Sequence, residues 1–194
     1  AQNKKMIVID ISKNIQKQPI LKYHHKDLDH HIKQKKYLDP HTWLDPSLVK
    51  KEVKVIYNTL QKYLPKHQKQ LEKNYLTFLK EIEKTDQAIH KLLDNKKENT
   101  FIVFHPSWGY FAKAFGLKQI AIEVEGKSPK LRALSHLIKK AKKENAKAIF
   151  INPAFSKKTA KILALELNIP VVNINSLSKN WSQNLISVAQ ILAK

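Results

Sequence analysis

With 194 residues, 42% of them hydrophobic, the chain is long enough to bury a real core, in one domain or one and a half. It has no cysteine, which excludes a disulfide framework and a thiolate metal site, and no run of 18 or more apolar residues, which excludes a membrane-crossing helix. The net charge of +20 invites a nucleic-acid reading, but the lysines are spread over every predicted helix and the one arginine is Arg132, so a solvated lysine-rich surface is preferred.

The chain starts at Ala1 with no visible signal peptide, and so reads as a processed, trimmed or truncated product. Residues 4–11, Lys-Lys-Met-Ile-Val-Ile-Asp-Ile, read as a buried strand ended by Ser12-Lys13-Asn14. A strand needs sheet partners and none is evident in the next ninety residues, which suggests that a preceding part of the protein is missing. Residues 16–38 are polar and irregular and contain His24, His25, His30 and His31. That loop has two readings, loose binding of a transition metal or plain solvation, since no spacing in it fixes a coordination geometry.

In Asp39-Pro40-His41-Thr42-Trp43-Leu44-Asp45-Pro46, Pro40 forces Asp39 to be extended. Pro46 suits the first turn of a helix capped by Asp45. His41 is thus held between two stiff points. The helix that follows is expected over Ser47–Leu64, with Leu48, Val53, Ile56, Tyr57 and Leu60 on its buried side, and Pro65 breaks it. A second helix is expected over Lys66–Asp94, about 43 Å long, with an apolar stripe of Leu71, Tyr75, Phe78, Ile82, Ile89 and Leu93. It has a His-Trp motif off each end, and reads as a spacer between two bodies that share one site.

From residue 99 strands and helices alternate. Short apolar strands at Phe101–Phe104, Gln119–Ile122, Ala148–Ile151 and Val171–Ile174 are separated by helical segments at Trp108–Phe115, Pro129–Asn145 and Ser156–Leu167, with a last helix over Trp181–Ala193. That is the pattern of a parallel sheet buried on both faces. Only three glycines are present, so no Gly-rich phosphate loop is available. In such sheets ligands sit beyond the carboxyl ends of the strands. His105 follows the first strand, Glu123 and Glu125 the second, Asn152 and Pro153 the third, Asn175 and Ser176 the fourth. His105, between Phe104 and Pro106, is a candidate zinc ligand or a hydrogen-bonded core histidine. His67, His90 and His136 read as surface residues.

Taken together, Asp39-Pro-His-Thr-Trp-Leu-Asp-Pro46, the long helix, Phe104-His-Pro-Ser-Trp-Gly-Tyr-Phe111 and Ile122-Glu-Val-Glu-Gly-Lys-Ser-Pro129 resemble the ZnuA-type proteins, the zinc-binding, substrate-capturing components of bacterial ABC metal importers. The resemblance runs from residue 1 through Asn180-Trp181-Ser182-Gln183-Asn184-Leu185 to the C-terminus. It implies two α/β lobes joined by one rigid helix with the metal in the cleft between them, His41 as a ligand from the first lobe and His105 as a ligand from the second. Manganese-binding relatives carry a carboxylate at the His105 position, so histidine tilts the choice to zinc. The family supplies a further histidine from a segment upstream of anything present here. Members often carry aspartate after the last strand where this chain has Asn175, which is expected to orient a ligand or a water rather than bind metal. The His24–His31 loop resembles a short form of the family's His-rich loop.

The expected fold is therefore α/β: an incomplete N-terminal lobe over residues 1–65 including the His-rich loop, a long rigid linking helix over 66–98, and a C-terminal α/β lobe over 99–194 with a four-stranded parallel sheet. The expected function is zinc capture, with zinc as transported ligand, and delivery to an ABC permease in the inner membrane, without catalysis and without nucleic acid. The location implied is the periplasm, or a lipid anchor on the outer face of a cell lacking an outer membrane. The main alternative is a zinc hydrolase with His41 and His105 as ligands and Glu123 or Glu125 as general base, although no His-Glu-x-x-His helix is present. Trp43 and Trp108 either shield the site or belong to the core, and Glu123 and Glu125 either bond a ligating histidine or stand in an exposed loop.

Overall fold

The computed structural model describes residues 3, 5–20, 37–95, 99–123, 129, 131–152 and 157–194. The chain enters its first helix through a 3-10 turn, Thr42–Leu44. Helix α1 spans Pro46–Tyr63, with Pro46 in its first turn and the Asp45 side chain accepting from Ser47 N at 2.8 Å. That satisfies one of the orphaned amides at the helix start. After a second 3-10 turn at Pro65–His67, helix α2 runs over Gln68–Leu93, 26 residues or about 39 Å. No helix among the described residues is long and apolar enough to cross a membrane.

The rest is a parallel sheet with helical connections: β1 (Thr100–Val103), α3 (Gly109–Ala114), β2 (Lys118–Ala121), α4 (Leu131–Lys143), β3 (Ile149–Ile151), α5 (Lys157–Leu167), β4 (Val171–Asn173) and α6 (Trp181–Leu192). The strand order is β2-β1-β3-β4 and every pairing is parallel. Successive side chains on a strand point to opposite faces, and the core divides accordingly. Phe101, Val103 and Phe150 face α2, α3 and α6, where they meet Ile89, Leu93, Phe111, Leu185 and Val188. Ile102, Ile149 and Ile151 face α4 and α5, where they meet Leu137, Ala141 and Leu163. Burial on both faces is why these strands read as continuous apolar runs.

Helix α2 packs against α1 near its start and α6 near its end. Its first half contributes Tyr75, Phe78, Leu79 and Ile82 to a cluster with Val49 and Val53 of α1. Its last turns, Ile89 and Leu93, are built into the core under the sheet. The expected stripe is present, and Thr85 completes it between Ile82 and Ile89. Thr85 is 1% exposed, its hydroxyl satisfied by Glu81 O and by the Ser182 hydroxyl.

Two expectations are corrected. The strand expected over residues 4–11 is not formed over the described residues 5–11: Met6, Ile7, Val8, Ile9 and Ile11 are exposed, and the segment is flanked by turns such as Met6 N to Asn3 O and Ile15 N to Ser12 O. Apolar, β-branched residues favour a strand only where a neighbour offers a ladder, and no described segment pairs with this one. The buried side of α1 is also displaced. Pro46, Val49 and Val53 are buried, while Ile56 and Leu60 are exposed. The helix carries two apolar stripes, and α2 takes the one that continues from the Leu44 turn. The polar segment 16–38 is paired at its described ends, where Ile20 N bonds Tyr37 O and Asp39 N bonds Gln18 O. Its histidines, His24, His25, His30 and His31, lie outside the described residues.

The buried face of α1 also holds Glu52, 5% exposed, whose Oε1 accepts from Thr42 Oγ1. Burial pushes this carboxyl above the ordinary glutamate value; the Thr42 bond opposes the shift and Asp10 adds to it. The folded state thus holds the proton more tightly than the unfolded chain. The group's contribution to stability is fully present at acid pH and is lost as pH rises from the ordinary glutamate value through the raised one. Glu52→Gln removes this dependence, so its urea midpoint relative to wild type is expected to be higher at pH 7 than at pH 4. The same offset at both values would contradict the burial argument.

Candidate functional site

His41 stands just before the Thr42–Leu44 turn, and its placement begins with Asp39. The Asp39 carboxylate is 1% exposed, and its Oδ1 accepts from both His41 N (3.0 Å) and His41 Nδ1 (2.6 Å). Asp39 is held in turn by its own backbone: its N–H bonds Gln18 O at 2.8 Å and its carbonyl accepts from Tyr110 Oη at 3.0 Å. Burial pushes the Tyr110 phenol above its ordinary value, which keeps it a donor. Gly109 makes this approach of α3 possible, because a Cβ there would lie 2.9 Å from Asp39 Oδ2 and 3.0 Å from Gln18 Nε2.

His105 follows β1, and the register of the sheet supplies its partner. β1 and β2 pair Val103 with Ala121, and the ladder continues through Ile122 N to Val103 O and Glu123 N to Phe104 O. Glu123, 8% exposed, is thereby set beside His105 and accepts from its Nδ1 at 2.6 Å. The two imidazoles, 64 residues apart in sequence, come together with ring centroids 5.3 Å apart and planes inclined by 73°. In each ring the carboxylate accepts from Nδ1, which leaves Nε2 as the ring nitrogen turned away from that bond. Two imidazoles this close are chemically suited to a transition-metal cation, and carboxylate–histidine pairing is the usual way to orient its ligands. Among the described residues, no group of three or more His, Cys, Asp or Glu side chains suited to a metal forms.

A tryptophan clasp ties the His41 segment to the sheet. Trp43 packs edge-on against His41 with centroids 5.3 Å apart, and its Nε1 donates to Ser176 O at 2.8 Å. Trp181 Nε1 donates back to Trp43 O at 2.7 Å. Trp108 is 2% exposed and belongs to the core against Phe111, while also lining the pocket beside His105 with Ser107, Asn152 and Ser176.

The ZnuA family model, described as zinc-uptake complex component A, periplasmic, matches residues 1–193. The chain belongs to this family. The high-affinity zinc uptake system protein ZnuA of Bacillus subtilis is 32% identical over 142 residues, covering 72% of this chain and 44% of that protein. Zinc-binding protein AdcA of Streptococcus pyogenes is 27% identical over 165 residues, covering 80% and 32%. The chain thus spans less than half the length of these curated relatives. Among solved structures, a crystal structure of ZnuA is similar at a TM-score of 0.85 and 36% identity, covering 98% of this chain and 70% of that one. A zinc-bound deletion mutant of ZnuA gives 0.83 at 36% identity, with 98% and 69% covered. The laminin-binding protein Lmb of Streptococcus agalactiae, described as having adhesin and metal transporting activity, gives 0.81 at 27% identity, with 97% and 72% covered.

In this ZnuA-family chain the structure brings His41 and His105 together and resolves Glu123 as the hydrogen-bond partner of His105. Glu125 and Pro153 lie outside the described residues. Asn175 is exposed, and its Oδ1 accepts from Leu177 N at 2.9 Å, so it shapes its own turn. His67 is exposed, His90 bonds Asp94, and His136 is half-buried in α4. Asp39, Tyr110 and Gln18 were not anticipated as supports of His41. The Asp-x-His spacing, which lets an aspartate accept from the amide two residues on, was the available signal. Trp181→Phe is expected to cost about 1 kcal/mol in urea unfolding, the worth of one hydrogen bond. An unchanged midpoint would show that the clasp contributes nothing net.

Proposed function

We propose that this chain is the zinc-capturing part of a bacterial ABC importer, with His41 and His105 ligating zinc through Nε2 in the cleft between the His41 turn and the sheet. One observation carries the reading: two imidazoles from distant segments meet, each turned by a buried carboxylate on its Nδ1. Imidazole nitrogen suits zinc better than the hard, oxygen-seeking cations. Membership of the ZnuA family and the zinc-bound relative support the same choice. The cargo is handed to a permease in the membrane, and the place of action is the periplasm or the outer face of the membrane. The family description and a lipoprotein relative, AdcA of Streptococcus pneumoniae, support that location.

Two imidazoles bind zinc weakly by themselves. In this reading the remaining donors come from outside the described residues. The protein carries rather than transforms its ligand. A hydrolase would need a carboxylate beside an open coordination position, and Glu123 is engaged by His105 Nδ1.

Calorimetric titration with zinc tests the reading, on this chain and on a form extended upstream of Ala1. His41→Ala and His105→Ala are each expected to weaken zinc binding by about tenfold or more, since even the partners of ligating histidines are worth that much. Unchanged affinity in both would overturn the assignment. Glu123→Ala is expected to weaken binding by about tenfold with His105 still present, and binding equal to wild type would deny it an orienting role.

A further inference from the structure

Glu52 is a buried carboxylate that does not touch the proposed metal site. It sits in α1 between Val49 and Val53, on the face turned inward, where an ionisable group is costly unless hydrogen-bonded. Its Oε1 accepts from Thr42 Oγ1 at 2.5 Å, and Thr42, 2% exposed, immediately follows His41. The distance is that of a hydroxyl bonded to a carboxylate, among the stronger hydrogen bonds available to side chains. The turn is tied to the sheet and to α6 through Trp43, whereas Thr42 is its tie to α1. The His41 side chain makes no capping bond, and the backbone bond that closes the turn, Leu44 N to His41 O, is long at 3.3 Å. The helix that carries Glu52 is anchored along α2, which is itself built into the core beneath the sheet that bears His105.

We propose that Glu52 is a positioning residue for His41, fixing through Thr42 the turn that carries this ligand and so the approach of His41 to His105. The proposal rests on the reading of that pair as a zinc site. Neither Thr42 nor Glu52 binds the metal; together they tie the ligand's backbone to α1.

Four variants test it: Thr42→Val, Glu52→Leu, the two combined, and Glu52→Gln. Zinc affinity is read by competition with a chromophoric chelator, stability by urea unfolding of the metal-free protein, and the His41 ring by nitrogen-15 NMR. Each single apolar variant strands one buried polar group and is expected to lose both stability and affinity. The double variant removes both polar groups together and is expected to recover stability, while its zinc affinity stays about tenfold below wild type. Glu52→Gln keeps an acceptor oxygen and is expected to bind within about threefold of wild type. A double variant that binds as tightly as wild type, or a Glu52→Gln that binds as weakly as Glu52→Leu, overturns the proposal. If neither this chain nor its form extended upstream takes up zinc, or His105→Ala binds equally well, the zinc reading itself has failed. Positioning is then judged on the metal-free spectra. One set of His41 ring signals in wild type and Glu52→Gln, displaced or averaged in the double variant, supports it; identical signals in all overturn it.

Discussion

The geometry of the candidate site depends on two short hydrogen bonds, from His41 Nδ1 to Asp39 and from His105 Nδ1 to Glu123, both at 2.6 Å. An imidazole left alone can rotate and can place its proton on either nitrogen. A buried carboxylate removes both freedoms at the cost of its own desolvation. That cost has to be offset by other bonds. For Asp39 they are the amide and ring of His41, with the backbone of Asp39 held by Gln18 and Tyr110. For Glu123 the backbone is held by a parallel ladder that continues past the ends of two strands. One carboxylate is positioned by a loop crossing and the other by sheet register, yet both arrive at the same local geometry.

The connection between the two histidines is correspondingly stiff. Helix α2 is packed at both ends, against α1 and within the core beneath the sheet. The shorter route is the tryptophan pair, in which Trp43 reaches Ser176 and Trp181 reaches Trp43. These bonds cross directly from the segment of His41 to the loop after β4 and to α6. Sliding the His41 turn past the sheet would break them together with the edge contact between Trp43 and the ring of His41.

How much of this could be read in the sequence follows from how local each signal is. The α2 stripe and the four parallel strands were legible because 3.6-residue periodicity and doubly buried apolar runs are properties of a segment by itself. The strand expected at residues 4–11 failed because pairing belongs to two segments, and β-propensity reports only one. On α1, periodicity showed an apolar face but could not choose between the stripe through Val49 and Val53 and the one through Ile56 and Leu60. His105 was marked by its place after a strand, and the sharing of one site with His41 by the two flanking motifs and their resemblance, while the distance between the rings belongs to tertiary structure alone. Glu123 was visible only as an alternative, because which carboxylate lies beside His105 depends on a strand register that no local pattern encodes. Thr42 and Glu52 were invisible for the same reason: a hydroxyl and a carboxylate ten residues apart announce nothing until the turn between them is built.

The surface combines two features that pull in opposite directions. Met6, Ile7, Val8, Ile56, Leu60, Tyr63, Leu64 and Leu76 present apolar area to water, while the net charge of +20 surrounds it with one sign of field. Apolar contact acts at touching distance, whereas like-charge repulsion reaches about 10 Å at 0.1 M salt and about 3 Å at 1 M. Copies of this chain are therefore kept apart by a barrier that the solvent composition sets. Diluting the buffer lengthens the barrier, and concentrating it collapses the barrier onto the apolar strips. The colloidal behaviour of this chain is thus governed by ionic strength as much as by its fold.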